Sequence, residues 1–239
     1  MKILVIGGGG REHALAWKCS EPAYVEKVFC APGNAGTSLE NKVENVPIEA
    51  EDIEALASFA EQEKVSLTIV GPEAPLVAGI VDVFVAKGLK CFGPNKLAAI
   101  LEGSKVFAKE FLVRHDIPTA QYKSFEVVEN ALIYLEKVDF PIVIKADGLA
   151  SGKGVFISAD IVEAREIVNT ILSDNRFGDA GNQIVIEEFL EGEELSFICM
   201  TDGYRCVPLA SSQDHKARDD GDRGPNTGGM GAYSPALIL

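Results

Sequence analysis

Positive charge is scarce in this sequence: 22 lysines and arginines stand against 36 aspartates and glutamates, a formal net charge of −14 over 239 residues. Such a surface argues against nucleic acid as a partner, so a bound phosphate has to be met by local cations or helix N-termini rather than by a general field. Long apolar runs are missing as well. Met1 to Ile6, apolar apart from Lys2, run straight into glycine, too short for a signal peptide, and no other run reaches the ~20 residues that a bilayer requires. A cytoplasmic protein with no membrane association is expected. The five cysteines, Cys19, Cys30, Cys91, Cys199 and Cys206, are odd in number and lack CxxC spacing, which removes the common zinc and redox patterns. Most read as core thiols. If Asp202-Gly203 makes a two-residue hairpin turn, Cys199 and Cys206 face each other across it, as free thiols in a reducing compartment.

Two familiar nucleotide signatures are also absent. A Walker A loop needs four residues between its first glycine and its Gly-Lys, then Ser or Thr. Here three residues separate Gly148 from Gly152-Lys153, and Gly154 follows. The dinucleotide fingerprint G-x-G-x-x-G fails too, because its third glycine falls on Glu12 or His13, and no acid ends the second strand to hold a ribose. A nicotinamide or flavin cofactor is therefore disfavoured.

With 47% hydrophobic and 24% charged residues, the chain can bury the core of one large or two ordinary domains. Residues 2–6 read as a strand, Gly7 to Gly10 as a turn, and Arg11 to Trp17 as the start of a helix, the opening of a doubly wound α/β domain. A phosphate or small anion at that helix N-terminus, beside Arg11, is the chemistry this arrangement permits. The pattern repeats with a helix over 52–61 and a strand over 65–70, whose end carries Gly71-Pro72-Glu73. Ligands bind at this edge of open α/β sheets, so Glu73 is a candidate substrate contact; a plain turn starting a helix over 76–86 is the alternative. Cys91-Phe92 closes a short strand.

Ser104 reads as the cap of a helix to Val113, with Phe107, Ala108, Phe111 and Leu112 as its buried stripe. Lys105 in its first turn opposes the helix dipole unless an anion offsets it. A strand over 122–125, a helix over 127–137, the strands at 142–145 and 155–158 with a glycine-rich loop between them, a helix over 161–172 and a strand over 183–186 make a small α+β lobe. The loop carries Gly148, Ser151, Gly152 and Lys153 after Lys145, and can close backbone N–H groups and ammonium charge over a polyphosphate; a hairpin whose glycines only serve the turn is the plainer reading. Strands over 195–201 and 204–210 follow. The remainder, with Asp214, Lys216, Arg218 and Asn226-Thr227-Gly228-Gly229, reads as irregular and polar, either functional or disordered.

Taken in order, Gly7 to Trp17, Ala31 to Thr37, Gly71 to Leu76, Lys145 to Gly154, Glu187 to Glu194 and Ser212 to Ser234 resemble the phosphoribosylamine-glycine ligase family of the ATP-grasp superfamily. The resemblance implies a doubly wound, Rossmann-like N-terminal domain (1–103), the start of an ATP-grasp core (104–121), a lid lobe (122–190) and a partial core (191–239). It implies ATP and magnesium or manganese as cofactors. Glycine and 5-phosphoribosylamine are the implied substrates, joined through glycyl phosphate in purine biosynthesis by a monomeric enzyme. On the family pattern, Lys105, Lys145, Gly148, Ser151, Gly152 and Lys153 hold phosphates, Glu187 and the backbone around Leu190 hold adenine, Glu194 holds the ribose, and Glu188 belongs to the same nucleotide-binding set. Gly9, Gly10, Arg11, Glu73, Asn226, Thr227, Gly228 and Gly229 contact substrate, and Asp214, Lys216 and Arg218 are the catalytic set. The family's Glu and Asn magnesium ligands, in a stretch resembling Arg-Phe-Gly-Asp-Pro-Glu, have no counterpart before Leu239, so this polypeptide alone is expected to be inactive or very weak. The competing expectations are a non-catalytic nucleotide-binding fragment and another carboxylate-amine ligase.

Overall fold

The chain alternates apolar strands with amphipathic helices. The computed structural model describes all residues except 151–153, 175, 222 and 239, and all but the side chains of Asp179, Pro225 and Asn226. Two compact units divide it, Met1–Pro118 and Thr119–Leu239.

The first unit contains β1 (Lys2–Gly7), α1 (Gly10–Ser20), β2 (Lys27–Pro32), β3 (Val43–Asn45), α2 (Ile53–Gln62), β4 (Leu67–Val70), α3 (Glu73–Ala78), α4 (Ile80–Ala86), β5 (Cys91–Phe92), α5 (Lys96–Gly103) and α6 (Lys105–Arg114). Its five strands are parallel in the order β3-β2-β1-β4-β5. The continuous apolar run of β1 follows from burial on both faces. Leu4 and Ile6 point into a cluster with Phe29, Leu56, Ala60, Ile80 and Phe84. Ile3 and Val5 point the other way, to Ala16, Val25 and Val28. This is the doubly wound domain expected from the sequence. With β1 central, successive crossovers leave it in opposite directions, which opens a crevice at the carboxyl ends of β1 and β4.

Local details depart from the sequence reading. Residues 76–86 are not one helix: Gly79, at φ +101°, ends α3 in the left-handed conformation and also caps α4. Helix α5 was not foreseen; Asn95 caps it by accepting from the Ala98 N–H at 2.9 Å. Ser104 does cap α6, accepting from the Phe107 N–H at 3.0 Å. On that helix, however, only Val106 is fully buried; Phe107, Ala108, Phe111 and Leu112 are partly covered.

The second unit holds β6 (Tyr122–Phe125), α7 (Val128–Leu135), β7 (Ile142–Ala146), β8 (Val155–Ser158), α8 (Ile161–Leu172), β9 (Ile184–Glu188), β10 (Cys199–Thr201), β11 (Cys206–Pro208), β12 (Gln213–Asp219) and β13 (Arg223–Tyr233). An antiparallel sheet runs β6-β9-β7-β8. Its Ile142, Ile144, Ile184 and Ile186 pack on Ala131 and Leu135 of α7 and Ala164, Val168 and Ile171 of α8. Strands β10 and β11 pair as a hairpin with Thr201 opposite Cys206 and Cys199 opposite Pro208. The loop therefore takes four residues, 202–205, rather than the two expected, and Cys199 and Cys206 are diagonal neighbours instead of facing each other. The late glycine-rich segment, expected to be irregular, is largely the antiparallel pair β12 and β13, with register shifts between His215 and Asp219.

Candidate functional site

In the first unit the crevice is built from glycine, arginine and two carboxylates. β1 delivers Gly7 to the start of α1, and Glu12 in its first turn folds back so that Oε2 accepts from the Gly9 N–H at 2.7 Å. This is one half of a capping box, with the side chain satisfying an N–H that the helix cannot. Glu12 is 4% exposed, and the room it needs is supplied by Gly71 after β4, where a Cβ would lie 2.2 Å from its Oε1. Its Oε1 also accepts from Arg11 Nε at 2.9 Å, and Arg11 Nη1 reaches Glu73 Oε1 at 3.1 Å. The Glu12 carboxylate, then Glu73, raise the Arg11 pKa. Of the predicted substrate contacts, Gly9, Gly10, Arg11 and Glu73 thus meet at one sheet edge. An anion here competes with Glu12 for the Gly9 N–H and with both carboxylates for Arg11.

Glu12 was passed over in the sequence, where it counted only as the residue spoiling a dinucleotide fingerprint. The signal was present in its spacing, three residues after Gly9, as in a capping box. Asn34 was likewise not singled out. It accepts from the Gly36 and Thr37 N–H groups at 2.7 and 3.0 Å and donates to Gly8 O at 3.0 Å, tying the loop after β2 to the glycine turn.

In the second unit, the predicted nucleotide residues lie on and around β7 and β9. Val143 stands opposite Glu187, and Lys145 opposite Val185. Strand alternation puts Lys145 and Glu187 on one face, where their side chains form an ion pair. Glu187 is 5% exposed and Lys145 partly exposed. Glu188 belongs to the other face: its Oε1 accepts from the Gln121 N–H at 2.9 Å. Beyond β9, Leu190 is exposed. Gly148 packs against Ala180, its N–H donating to Ala180 O at 3.4 Å. Ser151, Gly152 and Lys153 lie outside the described residues. Lys105 opens α6 as its first residue.

The late pair of strands gathers a further group. Lys216 Nζ lies 3.2 Å from Glu194 and 3.8 Å from Asp214. Arg218 turns instead to its neighbour Asp219, at 2.7 and 3.0 Å, and is not joined to that group. Thr227 Oγ1 donates to Lys216 O and accepts from the Gly229 N–H. Gly228 is exposed in the same stretch of β13; the Asn226 side chain lies outside the description. Among the described residues no group of three or more His, Cys, Asp or Glu side chains is arranged to hold a metal ion; magnesium bound through substrate phosphates needs only one or two carboxylates.

Comparison with known proteins accounts for both units. Residues 103–239 match "Phosphoribosylglycinamide synthetase, ATP-grasp (A) domain" and residues 1–102 match "Phosphoribosylglycinamide synthetase, N domain". Over all 239 residues the chain is 63% identical to phosphoribosylamine-glycine ligase of Allochromatium vinosum and 62% identical to that of Escherichia coli strain K12. It spans 56% of the length of each relative. Among solved structures, phosphoribosylamine-glycine ligase of Thermotoga maritima matches the whole chain at TM-score 0.83 and 35% identity, over 56% of its own length. The biotin carboxylase domain of Hydrogenobacter thermophilus 2-oxoglutarate carboxylase, solved with MgADP, ADP and bicarbonate, shares the fold at TM-score 0.71 and 17% identity. The chain belongs to the phosphoribosylglycinamide synthetase family, carrying that family's N domain followed by its ATP-grasp domain.

Proposed function

We propose that this chain carries the nucleotide-binding part of a ligase that joins glycine to 5-phosphoribosylamine at the expense of ATP. The observation that supports this most directly is the Lys145–Glu187 pair, a nearly buried carboxylate and a partly exposed ammonium on one strand face beside a glycine-rich loop. In this reading Lys145 exchanges Glu187 for a phosphate oxygen, and Lys105 and the loop from Gly148 to Lys153 add charge and N–H donors. Glu187 and the backbone around Leu190 bind adenine, and Glu194 the ribose. Phosphoryl transfer needs mostly positioning and charge stabilisation, and these residues supply both. Magnesium would supply charge neutralisation at the phosphates.

The glycine carboxylate attacks the γ-phosphoryl group and ADP leaves. The amine of phosphoribosylamine then attacks the resulting acyl phosphate and expels inorganic phosphate. Arg11 and Glu73, with the Gly9-Gly10 turn, contact the phosphoribosyl substrate in this proposal. Asp214, Lys216 and Arg218 bind and orient the reacting groups, and residues 226–229 donate backbone N–H groups. Residues 1–103 form the substrate side, 104–121 and 191–239 belong to the ATP-grasp core, and 122–190 form the lid lobe.

Calorimetric titration of the chain with ATP and magnesium tests the reading. Lys145→Ala is expected to abolish detectable ATP binding while circular dichroism shows the fold retained. Unchanged affinity in that variant overturns the assignment of Lys145.

A further inference from the structure

Two of the five cysteines stand together on the hairpin of β10 and β11. The Leu209 N–H donates to Ile198 O at 2.8 Å and the Asp202 N–H to Arg205 O at 3.3 Å. These rungs, with Met200 opposite Val207 between them, are the hydrogen-bonded pairs of the ladder. Cys199 with Pro208 and Thr201 with Cys206 are therefore non-hydrogen-bonded pairs, whose side chains stand closer. Strand alternation puts these four side chains on one face, with Cys199 and Cys206 on a diagonal. A flat ladder leaves diagonal Cα atoms about 7–8 Å apart, just outside the roughly 4.4–6.8 Å that a disulfide spans. Strand twist skews the ribbon and shortens one diagonal at the expense of the other. Hydrogen bonding with the Cys206 side chain, ahead of burial, raises the Cys199 pKa, which places the two sulfurs on the shortened diagonal.

Paired sulfurs serve either a metal or a covalent bond. A structural zinc takes four ligands, and among the described residues no group of three or more His, Cys, Asp or Glu side chains is arranged around an ion. Covalent chemistry is the better fit. We propose that Cys199 and Cys206 form a redox-active dithiol that closes into a disulfide within the hairpin by exchange with a low-molecular-weight disulfide such as oxidised glutathione. One cysteine, as thiolate, attacks a sulfur of the glutathione disulfide, forming a mixed disulfide and releasing one glutathione. The second, deprotonated in turn, attacks the protein sulfur of that mixed disulfide and expels the other glutathione. Two electrons pass from the protein to the glutathione disulfide, and both thiol protons end on the released thiols. In a reducing compartment the pair stays open, and it closes when the glutathione pool becomes oxidised. The bond staples an arm at whose base Ser196 and Ser212 exchange two backbone hydrogen bonds, at 2.8 and 3.1 Å. The inference rests on two side chains meeting within one hairpin, inside the matched residues 103–239, and on neither ATP binding nor the surroundings of that hairpin.

The test treats the full 239-residue chain with oxidised glutathione, quenches in acid, alkylates the remaining thiols and maps them by mass spectrometry. A chain lighter by two hydrogen atoms is expected, with a peptide linked between Cys199 and Cys206, with Cys19, Cys30 and Cys91 still open to alkylation after denaturation, and with dithiothreitol reversing the change. Cys206→Ser, which lacks the resolving thiol, is expected to accumulate a glutathione adduct at Cys199 that the unmutated chain does not. Circular dichroism verifies the fold of this variant, and the linked peptide from the unmutated chain stands without it. Three results overturn the proposal: stable glutathione adducts on both cysteines with no bond between them; a bond that joins other cysteines or two chains; or thiols at 199 and 206 that stay unmodified in the folded chain.

Discussion

Glu12 holds the first crevice together through its two oxygens, one on the Gly9 N–H and one on Arg11. Removing it leaves the Gly9 N–H at the exposed start of α1 without its carboxylate acceptor and Arg11 with Glu73 as its remaining partner here. Glu12→Ala is expected to destabilise the first unit by about 1–3 kcal/mol, read as a lower urea midpoint. Glu12→Gln keeps the shape and should cost less. Buried thiols give the pH dependence. Burial raises the Cys30 pKa from 9.0 to about 11. The folded state thus favours the protonated thiol, and this contribution is fully present below pH 9 and lost as pH rises through about 11. Stability measured by denaturant titration should decline across that window, and Cys30→Ala should flatten the decline. Lys145 and Glu187 show what the residue scale hides in a sequence. Each was a candidate by itself; that they pair follows from strand register.

Among the elements, those with strong local signals were legible. The strand at Tyr122–Phe125, the strand at Val155–Ser158 and the helix at Ile161–Leu172 stand where periodicity put them, the last capped by Asp160 accepting from the Val162 and Glu163 N–H groups. The break between α3 and α4 was missed because a single glycine inside an apolar helical pattern is tolerated at a cost of only about 1 kcal/mol. Gly79→Ala tests that break: a side chain held at φ +101° should cost about 1–2 kcal/mol, seen as a lower melting temperature of the first unit. The strands β12 and β13 were missed for a different reason. Their glycines and charges carry no period-two pattern, and the pairing is made by backbone groups and specific contacts such as Tyr233 with Gln213. Propensity is a poor guide where the ladder supplies the stability.

Across the whole molecule, two units with separate cores allow a ligand to stabilise one without the other. If ATP binds on β7 and β9, a concentration 100 times its Kd adds about 2.7 kcal/mol to the unit that holds it. Calorimetric scans should then show ATP raising the transition of residues 119–239, with hydrogen exchange slowed in β7 and β9. A shift confined to the first unit would contradict the nucleotide assignment. Among the described residues no helix is long and apolar enough to cross a membrane.

The sequence by itself determined the class of fold, the order of most elements, the family and the mismatch to the Walker A and dinucleotide patterns. Those properties depend on local periodicity and on the spacing of neighbouring residues, which are written along the chain. Tertiary structure decided that Arg11 lies between Glu12 and Glu73, that Lys145 meets Glu187 while Glu188 turns to the opposite face, and that Cys199 and Cys206 meet on a diagonal of their hairpin. Each of these depends on register or on crossover direction between segments distant in sequence. A shift of one residue in a ladder sends every side chain to the other face.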